Sequence, residues 1–455
     1  MQDGRRACFR AGARQCRSTR VPRAAPPRGA AVFTQQEAGR RTSFVNAAGI
    51  QAMTAVQSFD VAILGAGLAG RLSAWQLVRA GARVALIERG GPDGSGSAAH
   101  VAAAMLAPLA ESAIAERRIV DLGIASVDLW RSWLQELPER VFFQEDGTLV
   151  VWHARDRAEV SLFTSRMRAV APPELVQDRL RALDGNGVGQ VEPALAGRFT
   201  QGLLLQGEGQ LDNRGAMRAL LACAIEHGMH CVWEAGEIDA VALPGMGIHA
   251  GVVLDCRGLG AREAWTDATD AQRAALPGLR GLRGEVVRVH APDVKLQRPV
   301  RLLHPRYPIY IAPKPNDLYV IGATEIESED DSPMSVRSAL ELLSAAHSLH
   351  PAFGEARVLE LNVQRRPTRP DHLPAIRVDQ PSRVVRVNGL YRHGWLIAPA
   401  VTEAACQVVR ALLDGDPAAH AVPSSLRWPG MIAPVHEPAS LARGGFPDAG
   451  GGLLH

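Results

Sequence analysis

The sequence predicts an α/β fold joined to a second layer of antiparallel β structure, and three observations predict it. Residues 59–88 run as apolar strand, glycine turn, helix and a second apolar strand that ends on an acid. Residues 252–255 form another apolar strand, which runs into a second glycine turn at Arg257-Gly258-Leu259-Gly260. From 284 to 324 the pattern changes to short strands parted by turns: EVVRVHA, RPVRLLH, YPIYIAPKP and LYVIGAT. The first stretch is the βαβ unit that binds dinucleotides. The second is what a nucleotide domain assembled from separated segments gives. The third marks a distinct sheet, mixed or antiparallel.

Within the βαβ unit each glycine has a physical task. Gly65 makes the tight turn, Gly67 lets the backbone approach a pyrophosphate, and Gly70 lets helix and strand pack closely. A helical pattern over residues 68–80 is closed by Gly81, where a left-handed cap sits. Unpaired N–H groups at the positive end of that helix favour an anion. Glu88 stands 18 residues after Gly70, placed to accept hydrogen bonds from an adenosine ribose. Its charge would repel a 2′-phosphate, which excludes NADP from this site.

At 455 residues the chain has room for two or three domains. Its 47% apolar and 21% charged residues are ordinary for a globular protein. No run of about 18 apolar residues occurs, so no membrane span is expected. Residues 1–52 hold ten arginines against Asp3 and Glu37. The remainder carries 40 basic and 45 acidic residues, a mildly acidic body that gives no case for nucleic acid. Six cysteines lie scattered without metal-ligand spacing, so no metal is expected and a reducing cytoplasm is the default location. Residues 1–57 are expected to be a disordered Arg-rich segment. It is either transit-like or regulatory, or an over-extended start upstream of Met53; the second reading is favoured. Residues 417–455, with repeated Pro and Gly, are expected as a flexible tail.

Between these landmarks, the small-residue run 98–105 reads as a helix, lying against a flat ligand or simply against another helix. Residues 117–137 carry apolar side chains at spacings of three and four, an amphipathic helix. Residues 142–152 read as a hairpin turning at Asp146-Gly147. Asp212-Asn213 caps a helix over 214–227, ended by Gly228. A strand at 230–233, a helix at 334–350, strands at 358–363 and 384–388, and a helix at 398–413 complete the body.

Several of these segments together resemble one family. ILGAGLAG at 63–70, AAAMLAP at 102–108, RGEVV at 283–287, IYIAPK at 309–314, YVIGATE at 319–325, RRPTRPDHLP at 365–374 and YRHGWLIAPAVTEAA at 391–405 carry the likeness. The chain resembles the D-amino-acid-oxidase superfamily of flavoproteins, and within it the bacterial glycine oxidases that serve thiamine biosynthesis. The likeness runs from about residue 58 to 413. It implies a discontinuous Rossmann-type FAD-binding domain from 58–108, 205–265 and 360–416. A substrate domain, built on a mixed or antiparallel sheet from 109–204 and 266–359, would cover the flavin. Relatives that attach FAD covalently use a cysteine near 365–366. Arginines stand there in this chain, so non-covalent FAD is implied.

By matched position the resemblance assigns Arg392 to the substrate carboxylate, which its guanidinium fork can hold bidentately. It places Arg366 at the mouth of the site and the Tyr310 hydroxyl on the same carboxylate. Strand alternation lets only one of Arg365 and Arg366 face the sheet surface, and Tyr310 also fits a core aromatic. The implied cofactor contacts are Gly65, Gly67, Gly70, Glu88, Arg89, Ala104, Met105, Ile238, Gly258, His393, Gly394, Trp395 and Leu396. His393 either tunes the flavin or caps the following helix, and takes no catalytic role.

The implied reaction is oxidative deamination of glycine, sarcosine or small D-amino acids. Hydride passes from Cα to flavin N5, O2 reoxidises the flavin to give H2O2, and the imine feeds the thiazole of thiamine. The implied partners are a small amino-acid substrate and O2, with no membrane or nucleic acid, and a homo-oligomer, often a tetramer. A D-amino-acid dehydrogenase passing electrons to a quinone is the alternative. The oxidase half of a tRNA wobble-uridine modifying enzyme and a flavin-binding protein without turnover are weaker readings.

Overall fold

The computed structural model describes residues 56–265, 278–416 and 432–434. The Arg-rich segment 1–57 and the tail 417–455 lie outside the described residues except at 56–57 and 432–434. The described residues within Met53–His455 form one compact unit.

Its first layer is a seven-stranded sheet that includes Gln57–Leu64 among its inner strands. That strand pairs in parallel with Val84–Ile87 on one side and Ile248–Asp255 on the other. Val61, Ala62, Ile63 and Leu64 are all fully buried, because helices or loops cover both faces of a parallel sheet; this is why the sequence reads as an unbroken apolar run. His230–Val232 extends the sheet beyond Val84–Ile87, and Val384–Asn388, Ala375–Asp379 and Ile432–Pro434 extend it beyond Ile248–Asp255. Its strands thus come from widely separated parts of the chain.

The second layer is an eight-stranded mixed sheet. Arg280–His290 pairs antiparallel with Arg357–Thr368 along its whole length, with a bulge between Arg288 and Val289. The strands Leu318–Gly322, Ile309–Lys314 and Val300–Leu303 continue it as an antiparallel meander. The next strand, Thr148–Trp152, joins in parallel, and Gln201–Leu205 and Leu180–Asp184 close the order. The boundary expected at residue 360 falls inside Arg357–Thr368, which belongs to this second sheet throughout its length. A small antiparallel sheet of Met105–Leu106, Gly209–Leu211 and Phe143–Gln144 completes the β structure among the described residues.

Four local expectations need correction. Residues 142–152 do not form a hairpin: Phe143–Gln144 joins the small sheet and Thr148–Trp152 the large one. The turn at Gly147 is real, with φ +88° and room for no Cβ against the Leu205 carbonyl 2.9 Å away. A turn signal states that the chain bends, but not which sheet receives the strand that follows. The small-residue run 98–105 is helical only over Ala98–Val101, and Ala104 takes a φ of +52° before the strand Met105–Leu106. The strand expected at 358–363 extends to Thr368, and the last helix begins at Gly394 rather than near 398.

That last helix, Gly394–Leu413, is apolar and long enough to cross a bilayer, yet it is the core helix of this fold. It packs between the helices Leu68–Arg79 and Arg117–Gln135. Gly123 permits the close approach: a Cβ there would lie 3.0 Å from the Leu396 side chain. Pro399 sits one turn inside the helix and lacks the N–H that would bond the Trp395 carbonyl. The indole N–H of Trp130 donates to that carbonyl instead, at 2.8 Å, while the two rings stack 5.5 Å apart. The Ala400 amide donates to Ser126 Oγ. Two side chains of the facing helix thus bond backbone groups on either side of the proline.

Trp130→Phe keeps the stacked ring and removes the donor, leaving a buried carbonyl unpaired at a cost of about 1–3 kcal/mol. Thermal unfolding should show a melting temperature lower by a few degrees. An unchanged melting temperature would mean that the carbonyl finds another partner.

Candidate active site

The glycine turn is fixed by space. Gly65 has φ +92°, and a Cβ on it would lie 2.9 Å from the Cys256 carbonyl oxygen. At Gly70 a Cβ would fall 1.8 Å from the Gly65 carbonyl oxygen, so no larger residue fits between helix and turn. Gly67 differs: a Cβ there would meet only Ser97, 3.8 Å away. Its backbone is therefore open to an incoming group. Glu88 accepts hydrogen bonds from the Ala66 amide and, at 3.0 Å, from the Gly90 amide, which fixes its carboxylate beside the turn.

Beneath the turn lies a residue with no distinguishing signal in the sequence. Arg71 is 1% exposed and donates to the carbonyls of Ala66, Pro92 and Met217 at 2.7–2.9 Å. It ties the glycine turn, the polar loop and the helix Asn213–Glu226 together. Burial draws its guanidinium down to about 10, against the opposing pull of Glu88 and Asp93.

These groups open onto a cavity of about 1210 Å³. That exceeds the roughly 300–1,000 Å³ of common small-molecule sites, and suits an extended dinucleotide with a further ligand beside it. Gly65, Gly67, Glu88 and Arg89 line one end, and Ile238 and Gly258 border it. Ala104 and Met105 line the middle, with Gly394, Trp395 and Leu396 at the start of the last helix. Gly70 lies beneath the turn. The side chain of Leu396 packs on Gly123 and that of Trp395 on Trp130, so what this helix start offers a ligand is its backbone. Arg89 is exposed, 3.5 Å from Glu237. Lys314, fully buried, donates to the Ala103 and Leu211 carbonyls and to Gln210 Oε1, which pins the segment before Ala104. Burial lowers its ammonium to about 7.

Charge gathers at the other end. Arg301 and Tyr310 face each other across neighbouring strands, and Gly322 on the next strand leaves room for the Tyr310 hydroxyl, which lies 2.7 Å from where a Cβ would stand. Arg366 lies across Gly284, whose absent Cβ would fall 2.3 Å from the guanidinium. It donates to the Thr324 carbonyl at 3.0 Å through one nitrogen, while the buried Nη1 has no partner. Arg365 lies on the opposite face and pairs with Asp331 at 2.9 Å.

Two carboxylates organise the guanidinium groups. Glu111, 8% exposed, meets Arg301 at 2.6 Å and Arg392 Nε at 3.6 Å. His393 Nδ1 lies 3.1 Å from Glu111, at ion-pair distance but out of hydrogen-bond alignment. Burial would raise the Glu111 carboxyl, but Arg392, Arg301 and His393 hold it well below the ordinary value. Burial lowers the His393 imidazole more than Glu111 raises it. Glu325 pairs with Arg392 Nη1 and accepts from the Tyr391 hydroxyl at 2.7 Å. Burial again works to raise it, and Arg392, Tyr391 and Arg366 bring it below the usual carboxylate range. For Tyr310 burial dominates and raises the phenol.

The structure thus gathers Arg392, Arg366, Tyr310 and His393 at one end of the cavity, and the glycine turn and Glu88 line the other. Glu111, Glu325, Arg301, Arg71 and Lys314 escaped the sequence reading. Glu325 closes the YVIGATE stretch, and Arg301 sits in register with Tyr310 across a short turn; these were the available signals.

A family model described as FAD dependent oxidoreductase matches residues 60–408. A protein of Rhizobium etli, assigned by name to thiamine biosynthesis as the oxidoreductase ThiO, is 43% identical over 354 residues, 78% of this chain and 96% of that one. A glycine oxidase of Geobacillus kaustophilus is 29% identical over 353 residues, 75% of this chain and 90% of its own. The crystal structure of glycine oxidase from that organism superposes with a TM-score of 0.64 at 25% identity, covering 80% of this chain and 96% of the other.

Two buried carboxyls, Glu192 and Glu208, are pushed up to about 7, in each case chiefly by burial. Unfolded, they would release their protons near the ordinary 4.5, so between 4.5 and about 7 the folded state binds more protons. Stability should therefore fall as pH rises through that window. A double variant, Glu192→Gln with Glu208→Gln, should show a flatter melting temperature between about pH 5 and 8. Equal slopes in the two proteins would contradict this origin.

Proposed function

We propose that this chain, which belongs to the family of FAD-dependent oxidoreductases, oxidises glycine and similarly small amines such as sarcosine and small D-amino acids. Its place would be the supply of an imine to thiamine biosynthesis. The observation that carries the reading is Arg392, set with Tyr310 and Arg366 at the end of the cavity away from the glycine turn. The names of the Rhizobium and Geobacillus relatives support the reaction class.

The residues present fit FAD. Gly67 leaves an open backbone where a pyrophosphate would lie, on the positive end of the helix Leu68–Arg79. Glu88 would take the ribose, and the backbone at Gly394 and Trp395 would face the ring system at the start of a 20-residue helix. Among the described residues the strand Arg357–Thr368 holds no cysteine, and non-covalent attachment is part of this proposal. When bound, FAD supplies the two-electron acceptor for the Cα hydride and passes the electrons to O2, giving H2O2.

The chain's own part is positioning. Arg392 offers a planar fork to the substrate carboxylate, and a guanidinium there makes charge-assisted bonds of fixed direction. Tyr310, protonated because burial raises its phenol, donates to the same carboxylate. The unpartnered Nη1 of Arg366 adds a buried donor without a carboxylate of its own, and an anion entering the site would satisfy it. Three guanidinium groups, Arg301, Arg366 and Arg392, face two carboxylates, Glu111 and Glu325, leaving one positive charge over. A substrate that binds as carboxylate with a neutral amine balances it. Free thiols at Cys223, Cys231, Cys256 and Cys406 fit a cytoplasmic enzyme. A homo-oligomer is part of the same proposal.

Purified protein should show a flavin spectrum that bleaches with glycine in the absence of oxygen. Admitting air should restore it with one H2O2 per turnover. Arg392→Met should raise KM for glycine on the order of a hundredfold, as expected when a bidentate charged contact is lost. Reoxidation by a quinone but not by O2 would make the protein a dehydrogenase. A spectrum unmoved by glycine, sarcosine and D-alanine would overturn the proposed function.

A further inference from the structure

Arg392 carries two carboxylates of the protein itself, and they differ in kind. Glu111 is enclosed, its side chain 11% exposed, and is shared with Arg301 and His393. Glu325 stands more open to the cavity, its side chain 42% exposed, and takes the outer nitrogen, Nη1. Its other oxygen rests on the Tyr391 hydroxyl. Tyr391 is held by rings on both sides, with His372 at 4.8 Å and His393 edge-on at 5.5 Å. Glu325 thus has a fixed hinge point at Tyr391 and an exchangeable contact at Arg392.

This inference rests on the reading that a substrate carboxylate docks on Arg392. A carboxylate arriving on the edge of the fork that includes Nη1 meets Glu325 there. Nη1 has a second N–H, but two carboxylates side by side on one guanidinium edge repel each other. A bidentate substrate carboxylate therefore displaces Glu325, and displacing it leaves a carboxylate that has lost its cationic partner. Such a group is costly unless a donor replaces what was lost. In an α-amino acid the amine lies one carbon from the carboxylate, so it arrives within reach of the carboxylate just displaced from the same guanidinium. A simple carboxylic acid brings no such donor.

We propose that Glu325 is a specificity-determining residue that occupies the carboxylate fork of Arg392 at rest and accepts the substrate's α-amine when displaced. The site then takes α-amino acids and rejects carboxylates of equal size without a donor at Cα. Glycine offsets the exchange through its N–H groups; acetate leaves Glu325 with only the Tyr391 hydroxyl. The same arrangement explains why a carboxylate stands in the cavity beside the arginines: it answers the amine, while Glu111 answers Arg301.

The test uses the FAD-loaded protein and its Glu325→Gln and Glu325→Ala variants. Dissociation constants for acetate are read from the perturbation of the flavin spectrum, and KM for glycine from turnover. Both variants should bind acetate more tightly, and the ratio of acetate Kd to glycine KM should fall by about tenfold or more, the worth of a hydrogen bond to a charged group. A ratio that stays constant while both affinities change would overturn the proposal, since Glu325 would then act only as a plug. A ratio that stays constant with no change in either affinity would overturn it as well. Arg392→Met in the same titrations separates the premise. If acetate and glycine are unaffected by it, the carboxylate does not dock on Arg392 and the proposed function fails along with the inference. If both weaken, the premise stands and the Glu325 ratio decides alone.

Discussion

A carboxylate cannot be buried without cations around it, and the far end of the cavity is built on that constraint. Glu111 is nearly inaccessible, and its ionised form persists because the guanidinium groups of Arg301 and Arg392 converge on it, with His393 beside them. The convergence fixes more than a charge. Arg301 comes from the large mixed sheet, Glu111 from the short helix after Met105–Leu106, and Arg392 and His393 from the turn before the core helix. One carboxylate therefore sets the spacing between the sheet that roofs the cavity and the helix start that borders it. Removing it would leave two buried guanidinium groups to repel each other at the place where the substrate is expected.

Shape comes from glycine in the same region. Gly322 and Gly284 lie on neighbouring strands of the mixed sheet, and each leaves a gap filled by a functional side chain, Tyr310 in one case and Arg366 in the other. At the opposite end Gly65 and Gly70 let the first helix press against the turn, and Arg71 braces the loops from below. Backbone without side chains forms the cradle at one end, and side chains seated over backbone form the pocket at the other.

How much of this could be read from the chain follows from the kind of constraint. The glycine turn was legible because only glycine satisfies its backbone angles and approach distances, so residue type and geometry are nearly equivalent there. The parallel strands were legible because burial on both faces leaves continuous apolar runs. The hairpin expected at 142–152 was not, because a Gly147 turn fits a strand that changes sheets as well as one that folds back. Arg392, Arg366 and Tyr310 came from matched motifs. Glu111 and Glu325 could not be distinguished in the sequence from other acids, since their meaning lies in guanidinium groups far away along the chain. Arg71 was hidden by the same rule: an arginine one residue past a glycine turn looks like a solvated helix residue until its three carbonyl partners are located.

The claim on which the rest depends is that a substrate carboxylate binds at Arg392 in the space Glu325 now holds. A crystal structure of the FAD-loaded protein with a slowly reacting α-amino acid would test it most directly. The account predicts the ligand carboxylate within hydrogen-bond distance of Arg392 and Tyr310, with Glu325 turned from the guanidinium toward the amine. A ligand bound elsewhere in the cavity, with the Arg392–Glu325 pair intact, would contradict it.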